Sequence, residues 1–290
     1  MSGSWRSVVT GAAGFALLIV GWELAKLVLP AAGVSIGDVR VLPRTDDAAM
    51  PHVWTVLGRL DDPEVAGAAA ARPVGLAVLS GALFTLGLSL GGLVIGGILG
   101  SVLALVMQRF RLAERAMLPY VVASQTVPLI AIAPLVVGWG GKIQILGWTW
   151  QPWASVMVIS SYLAFFPIAV GMLRGLASPD RADVELFHTL AAGWWTTLLR
   201  LRLPASVPYL IPAVRLGAAA AVVGAIVAEI STGTRGGIGR LIIEYAQAAT
   251  GDPSRMYAAI LGAALLGLVA AAAVGLLDLG MRRYRGSVAG

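Results

Sequence analysis

The feature that most constrains this chain is a series of uninterrupted apolar runs. A helix needs about 20 mostly apolar residues to cross roughly 30 Å of hydrocarbon. Runs of that length occupy approximately Val8–Leu29, Leu83–Met107, Met117–Val137, Trp153–Leu173, Tyr209–Ile230 and Met256–Leu279. Hydrophobic residues make up 58% of the 290 positions and charged ones 12%, outside the range of ordinary soluble domains. A membrane barrel would show alternating segments of about ten residues, and these runs do not alternate. The expectation is an all-α integral membrane protein with six transmembrane helices. The third run holds Pro119, Pro128 and Pro134, which argues against a straight helix there.

The first run is followed by the small residues Ala31-Ala32-Gly33, as a cleaved leader would be. It is too long for that role, its basic flank is a single Arg6, and it contains Glu23 and Lys26, so an uncleaved helix is expected. Orientation follows the arginines. With both termini inside, the cytoplasmic side receives Arg6, then Arg109, Arg111 and Arg115, then Arg174, Arg181, Arg200 and Arg202, and finally Arg282, Arg283 and Arg285. The outer side receives Arg40, Arg44, Arg59, Arg72, Lys142, Arg235, Arg240 and Arg255, half of them in a first loop that is acidic overall. The net charge of +6 then reads as topology, and a nucleic-acid partner is not expected. The chain divides at about residue 74 into a first helix with an external segment (1–74) and a core (75–290), whose cytoplasmic loop spans 175–204.

Gly87, Gly91, Gly92, Gly96, Gly97 and Gly100 stud the second run at small-xxx-small spacing, which lets another helix approach closely. The loop between the fourth and fifth runs carries more specific information. Ser178-Pro179-Asp180 suits a helix start and Gly193 a helix stop. Between them Val184, Phe187, Leu190 and Ala191 fall on one face, giving a short amphipathic helix outside the membrane that offers an apolar stripe to a partner. A second piece is expected from Trp194 to Leu203, ending at Pro204.

This loop resembles the "EAA" loop of ABC importer permeases: Glu-Ala-Ala, three residues, Gly, nine residues, Ile, one residue, Leu-Pro. The frame here is Glu185-Leu186-Phe187, three residues, Ala191, nine residues, Leu201, one residue, Leu203-Pro204. The spacing is kept, while Leu186 and Phe187 replace both alanines and Ala191 replaces the glycine. Leu118-Pro119-Tyr120, Ser124-Gln125-Thr126-Val127-Pro128, Ala133-Pro134-Leu135, the stretch 203–210, Arg215-Leu216-Gly217, Val227-Ala228-Glu229 and Gly236-Gly237-Ile238-Gly239 are similar to the nitrate/sulfonate/taurine branch of these permeases. Its Ser-Gln-Thr-x-Pro form looks most like members importing thiamine-precursor pyrimidines or riboflavin-like heterocycles.

The resemblance implies a type I importer permease in the bacterial inner membrane that pairs with a second copy or a homologous permease. It also implies two ABC ATP-binding subunits, which hold the ATP and Mg, and a periplasmic or lipid-anchored solute-binding protein. Glu185, Phe187, His188, Ala191, Gly193, Leu203 and Pro204 would form the ATPase-coupling surface, with Glu185 pairing with a donor in the ATPase groove and His188 making contact rather than chemistry. The other reading of Glu185 is a solvated acid on a helix face.

No catalytic, cofactor or metal site is expected in this chain. Its Gly141-Lys142 pair is followed by Ile143 where a P-loop needs Ser or Thr, and Val136 stands where the first glycine belongs. Gly233-Thr-Arg-Gly236-Gly237-Ile-Gly239 falls on the outer side and reads as a turn or gate rather than a phosphate cradle. Polar residues within spans mark translocation-path candidates: Gln125, Thr126, Pro128, Ser160, Ser161, Tyr162 and Glu229. Hydrogen bonding between helices is the alternative for each. Glu23 and Lys26, one turn apart, are expected to pair and snorkel. The tryptophans near the span ends read as interfacial belts, with a stacking site as the alternative. An intramembrane hydrolase lacks a nucleophile and base, since cysteine is absent and His52 and His188 lie outside the spans. An ion-coupled secondary transporter is the remaining rival, and it has no reason to carry the loop around Glu185.

Overall fold

In a computed structural model, which describes residues 2–64, 71–145 and 147–285, one helix organises the core because two others approach its backbone almost without side chains between them. That helix is α6 (Pro152–Leu176). It is flanked by α3 (Val74–Arg109) and α9 (Leu203–Thr232). A methyl group added at Gly96 of α3 would sit 2.6 Å from the Ser161 carbonyl, and one at Gly100 would sit 2.6 Å from the Phe165 carbonyl. Gly92 lies over Ser160 in the same way, so the ridge 92–96–100 rests directly on α6. On the α9 side Gly171 meets Ala213, Gly175 meets Ser206 and Gly224 meets Ser160. Such approach gains dispersion along whole helix lengths and weak backbone contacts, which is how helices associate where lipid removes the hydrophobic drive. Of the glycines in the second run, Gly87 has open space around it.

Side chains close the two ends of this stack. Ala104, Met107, Met172, Leu173, Leu176 and Leu198 form one buried cluster. Ala133, Val156, Ile159, Ala225 and Ala228 form another. The third apolar run is two helices, α4 (Arg111–Ser124) and α5 (Leu129–Gly140), bent by 101°. The bend falls just before Pro128, whose ring disfavours a helical residue ahead of it. Among the described residues five helices are long and apolar enough to cross a membrane, and six spans result when the bent pair counts as one. Pro204 does not end a helix as the sequence suggested. It lies at the start of α9, directly after a turn of wider π-helical spacing, and the helix continues through it. The chain reaches it through α8 (Trp194–Thr197) and a π-helical turn (Leu198–Arg202), so Trp194–Thr232 runs on as one apolar stretch.

The residues fall into two compact units, Met1–Leu79 with Leu241–Leu261, and Ser80–Arg240 with Gly262–Gly290. The first contains α1 (Ser2–Val28), on which Leu17, Leu18, Leu24, Leu27 and Val28 are exposed, Leu27 at 82%, while Trp22 donates to the Pro51 carbonyl at 3.0 Å. After α1, β1 (Val34–Ile36) pairs antiparallel with β2 (Val39–Leu42), followed by α2 (Val53–Gly58). Glu23 and Lys26 do not pair with each other. Glu23 accepts the Val53 N–H at 2.9 Å, capping α2, and contacts His52 Nδ1 at 2.7 Å. Lys26 donates to the Met50 carbonyl at 2.7 Å and pairs with Asp47. Further along, Arg59 pairs with Asp252 at 2.7 Å, and Glu64 accepts from Arg72 and from the Tyr245 hydroxyl at 2.6 Å.

Burial pushes the Glu64 carboxyl up, but hydrogen bonds from Arg72 and Tyr245 and the nearby Arg255 charge outweigh it and hold it below the usual 4.5. Its stabilising contribution is therefore complete above that value and is lost as pH falls through the lower folded value. Hydrogen exchange at Glu64, Val74 and Gly75, corrected for intrinsic rate, should be unchanged near neutral pH and accelerate only once the pH falls below the ordinary carboxyl value of 4.5. In the core, Gly96→Val should lower stability by about 1–3 kcal/mol by overpacking α3 on α6, whereas Gly87→Ala should not, as thermal unfolding in detergent would report.

Candidate functional site

The loop 175–204 is built on a short rigid stem. Arg202 Nη1 donates to the Leu176 carbonyl at 2.9 Å, placing a cation at the negative end of α6. Ser178 Oγ donates to the Gly175 carbonyl at 2.8 Å, with a longer contact to the Ala205 carbonyl at 3.3 Å. Gly175 packs on Ser206, where an added methyl would come within 2.7 Å. These contacts tie the end of α6 to the start of α9, and α7 (Arg181–Thr189) projects from the tie.

Helix α7 starts later than its sequence suggested. Asp180 holds the extended N-cap conformation, and Ser178 is occupied on the stem instead. Asp183 in the first turn and His188 in the last match the helix dipole. Gly193 does not stop this helix; it stands at the N-cap of α8. The stop is at Leu190 and Ala191. The Ala192 N–H donates to the Phe187 carbonyl at 2.9 Å and the Ala191 N–H to the His188 carbonyl at 3.0 Å, the paired bonds of a Schellman ending. Such an ending needs a left-handed residue, and Ala191 supplies it at φ 53°. Ala191 is thus the position where the motif carries glycine, for a steric reason that alanine does not satisfy.

Of the coupling residues, Val184 and Phe187 are half-buried, whereas Glu185, Leu186, His188 and Leu190 are exposed. No residue of α7 is buried. Leu203 and Pro204 lie at the stem, in the first turn of α9. The exposed part of α7 therefore carries Glu185, Leu186 and His188 with Leu190 at its C-cap, whereas Val184 and Phe187 of the expected apolar stripe are half-buried.

The path candidates fall into three separate settings. Gln125, Thr126 and Pro128 stand at the α4–α5 bend, where the Tyr162 hydroxyl donates to the Ser124 carbonyl and Thr126 Oγ1 to the Ala123 carbonyl at 2.8 Å. The Tyr162 and Phe165 rings lie 6.0 Å apart beside it. Ser160 is buried and donates across to the Ala221 carbonyl of α9 at 2.8 Å, while Ser161 donates back to Val158 at 2.7 Å. Glu229 is fully buried. Its carboxylate accepts the Thr85 hydroxyl at 2.8 Å and the Gly239 N–H at 2.9 Å, and Thr85 Oγ1 accepts the Ile238 N–H at 2.9 Å. These N–H groups open α10 (Ile238–Gln247), so the Gly-rich turn before it is already filled by the protein's own carboxylate. Its glycines are needed because the turn backbone lies on Glu229: Gly237 abuts the carboxyl group, and Gly239 would put a methyl 2.5 Å from the Ile226 carbonyl. Gly233 and Gly236 turn the chain at positive φ, 67° and 97°. The sequence singled out Glu229 but not Thr85, which lies 144 residues away and carries no signal of its own.

The family model described as "Binding-protein-dependent transport system inner membrane component" matches residues 92–283. A formylaminopyrimidine transport permease of Halalkalibacterium halodurans is 30% identical over 91% of both chains. A riboflavin transport system permease of Chloroflexus aurantiacus is 31% identical over 61% of this chain and 62% of its own. A putative aliphatic sulfonates transport permease of Bacillus subtilis is 26% identical over 84% and 87%. The chain belongs to the binding-protein-dependent transport permeases, and so is a multi-pass inner-membrane component of an ABC importer and a non-catalytic subunit of it.

Two outcomes follow from the geometry. Ala191→Gly should stabilise the end of α7 by about 1 kcal/mol and Ala191→Val should destabilise it, since a left-handed residue with a Cβ costs roughly 1–2 kcal/mol; protease cleavage rates at the loop would read both. Glu229→Ala should cost about 1–3 kcal/mol by leaving buried donors unpaired. Combined with Thr85→Ala it should cost clearly less than the sum of the two single changes, measured as a double-mutant cycle on thermal unfolding.

Proposed function

We propose that this chain, paired with a second permease, forms the path by which a small nitrogen heterocycle enters the cell, with ATP hydrolysed in two separate subunits that hold the Mg. The solute arrives on an external solute-binding protein, and both termini lie in the cytoplasm. The observation that carries the coupling part of this reading is α7: a short helix with no buried residue, held on a hydrogen-bonded stem, with Glu185 at the motif's acidic position and Leu186 and Leu190 bare beside it. An exposed apolar stripe on a helix outside the membrane is what a partner groove takes up.

The stem gives the coupling a physical form. Arg202 and Ser178 join the inner ends of α6 and α9, so a displacement of α7 is passed to both helices together. These are the helices whose backbones are in direct contact, and α9 leads to the turn held by Glu229. The division into 1–74 and a transporting core at 75–290 fits this assignment, with the α4–α5 bend at Gln125, Thr126 and Pro128 as the place where irregular backbone and polar groups meet a polar path. Ser160, Ser161 and Glu229 support that path from behind, through the hydrogen bonds that fix α6, α9 and α10.

The substrate reading rests on kinship. The formylaminopyrimidine permease matches over 91% of both chains at 30% identity, and the sulfonate permease is more distant at 26%. A thiamine-precursor pyrimidine or a riboflavin-like heterocycle is therefore favoured over sulfonate, taurine or nitrate.

Purification of the tagged chain from its native membranes in mild detergent should recover an ATP-binding subunit, and Glu185→Arg should reduce that recovery at least about tenfold by reversing one charge in a desolvated contact. Recovery unaffected by Glu185→Arg would remove α7 from the coupling contact. In cells or vesicles carrying the whole transporter, uptake of labelled formylaminopyrimidine should exceed uptake of labelled taurine; the reverse order would overturn the substrate reading.

A further inference from the structure

A groove of about 650 Å³ opens beside α7, where α3 and α6 end and α4 begins. Four arginines line it, Arg109, Arg111, Arg181 and Arg202, against two carboxylates, Glu114 and Glu185. Arg202 is engaged with the Leu176 carbonyl, and the Arg109 guanidinium lies 5.3 Å from the Trp194 ring. Among the described residues, Arg111 and Arg181 form no ion pair, although both carboxylates share the groove with them. The first turn of α4 adds to the positive potential, because Phe110 at its N-cap has no side-chain acceptor for the open N–H groups. A second groove of about 780 Å³ runs along α4, sharing Arg111 and Glu114 with the first and lined beyond them by Arg115, then by Leu118, Pro119, Val122 and Ala123.

A positively charged hollow at the ends of spanning helices, opening into an apolar channel along one of them, matches a ligand with an anionic head and a hydrocarbon tail. We infer that the two grooves bind one anionic glycerophospholipid, its phosphate among Arg111, Arg181 and Arg202 and an acyl chain along Leu118, Pro119 and Val122. A free phosphate would satisfy the arginines and leave the apolar groove unexplained. The site adjoins Glu185, so the lipid would neutralise the arginines facing that carboxylate and leave its charge less compensated toward a partner. The inference needs only the membrane setting of these helices and is independent of the substrate reading.

The test is native mass spectrometry of the full chain in detergent, titrated separately with dioleoylphosphatidylglycerol and dioleoylphosphatidylcholine. Wild type should prefer the phosphatidylglycerol, and Arg111→Gln with Arg181→Gln should weaken that binding at least about tenfold, as expected for two basic groups beside an anionic headgroup. Neither side chain is bonded within the described structure, so thermal unfolding without added lipid should be unchanged, and Arg200→Gln, outside the groove, should bind as wild type does. Equal affinity for the two lipids, or an unaltered affinity in the double variant, would overturn the inference. So would displacement of the lipid by a moderate excess of sodium phosphate, which would make this a site for a free anion. Loss of a co-purifying ATP-binding subunit from the double variant with lipid affinity intact would assign the groove to that partner instead.

Discussion

The structure depends on the direct approach of three helix backbones. Gly92, Gly96 and Gly100 bring α3 onto α6, and Gly171, Gly175 and Gly224 bring α9 onto its other side, at distances that a methyl group would obstruct. In lipid there is no hydrophobic gain from joining two apolar helices, so the contact area and the polar groups that bridge it decide the arrangement. Ser160 illustrates the second part: it lies where α3 and α9 both touch α6, and its hydroxyl spends its proton on the Ala221 carbonyl. Such packing is stiff, and motion passed into it is shared between neighbours rather than absorbed.

That stiffness gives meaning to the two places where the stack meets the outside. At one end, Arg202, Ser178 and Gly175 bind α6 to α9 and hold α7 away from the protein's own core. At the other, Glu229 and Thr85 gather α9, the first turn of α10 and α3 through one chain of hydrogen bonds. A buried carboxylate is costly unless its acceptors are used, and here both oxygens are. The same helix, α9, joins the two sites, so the coupling proposed for α7 has a continuous element running to the opposite end.

Much of this was legible in the sequence, because the signals were local and periodic. The apolar runs marked the spans, the glycine spacing marked the α3 contact ridge, and a short helix was expected between the fourth and fifth runs, where α7 stands. What was not legible depended on partners distant in the chain. Thr85 as the companion of Glu229, and the loop residues that take Glu23 and Lys26 away from each other, needed tertiary structure. Boundaries were misread where two residue types competed for one role: Ser178 looked like a cap but bonds the stem, and Gly193 looked like a stop although Ala191 takes the left-handed position. Pro204 looked like a break because a proline inside a helix usually is one, but a π-helical turn at Leu198–Arg202 precedes it and the helix runs on.

The central claim is that α7 is the surface through which an ATP-binding subunit acts on this permease. The chain contains no cysteine, so a single Leu186→Cys substitution creates one reactive thiol on the exposed face of that helix. Disulfide or maleimide cross-linking in native membranes should join Leu186→Cys to the ATP-binding subunit, with a yield that changes when ATP is added, while Leu112→Cys on exposed α4 should not cross-link. Cross-linking from Leu112→Cys but none from Leu186→Cys, with or without ATP, would contradict the account.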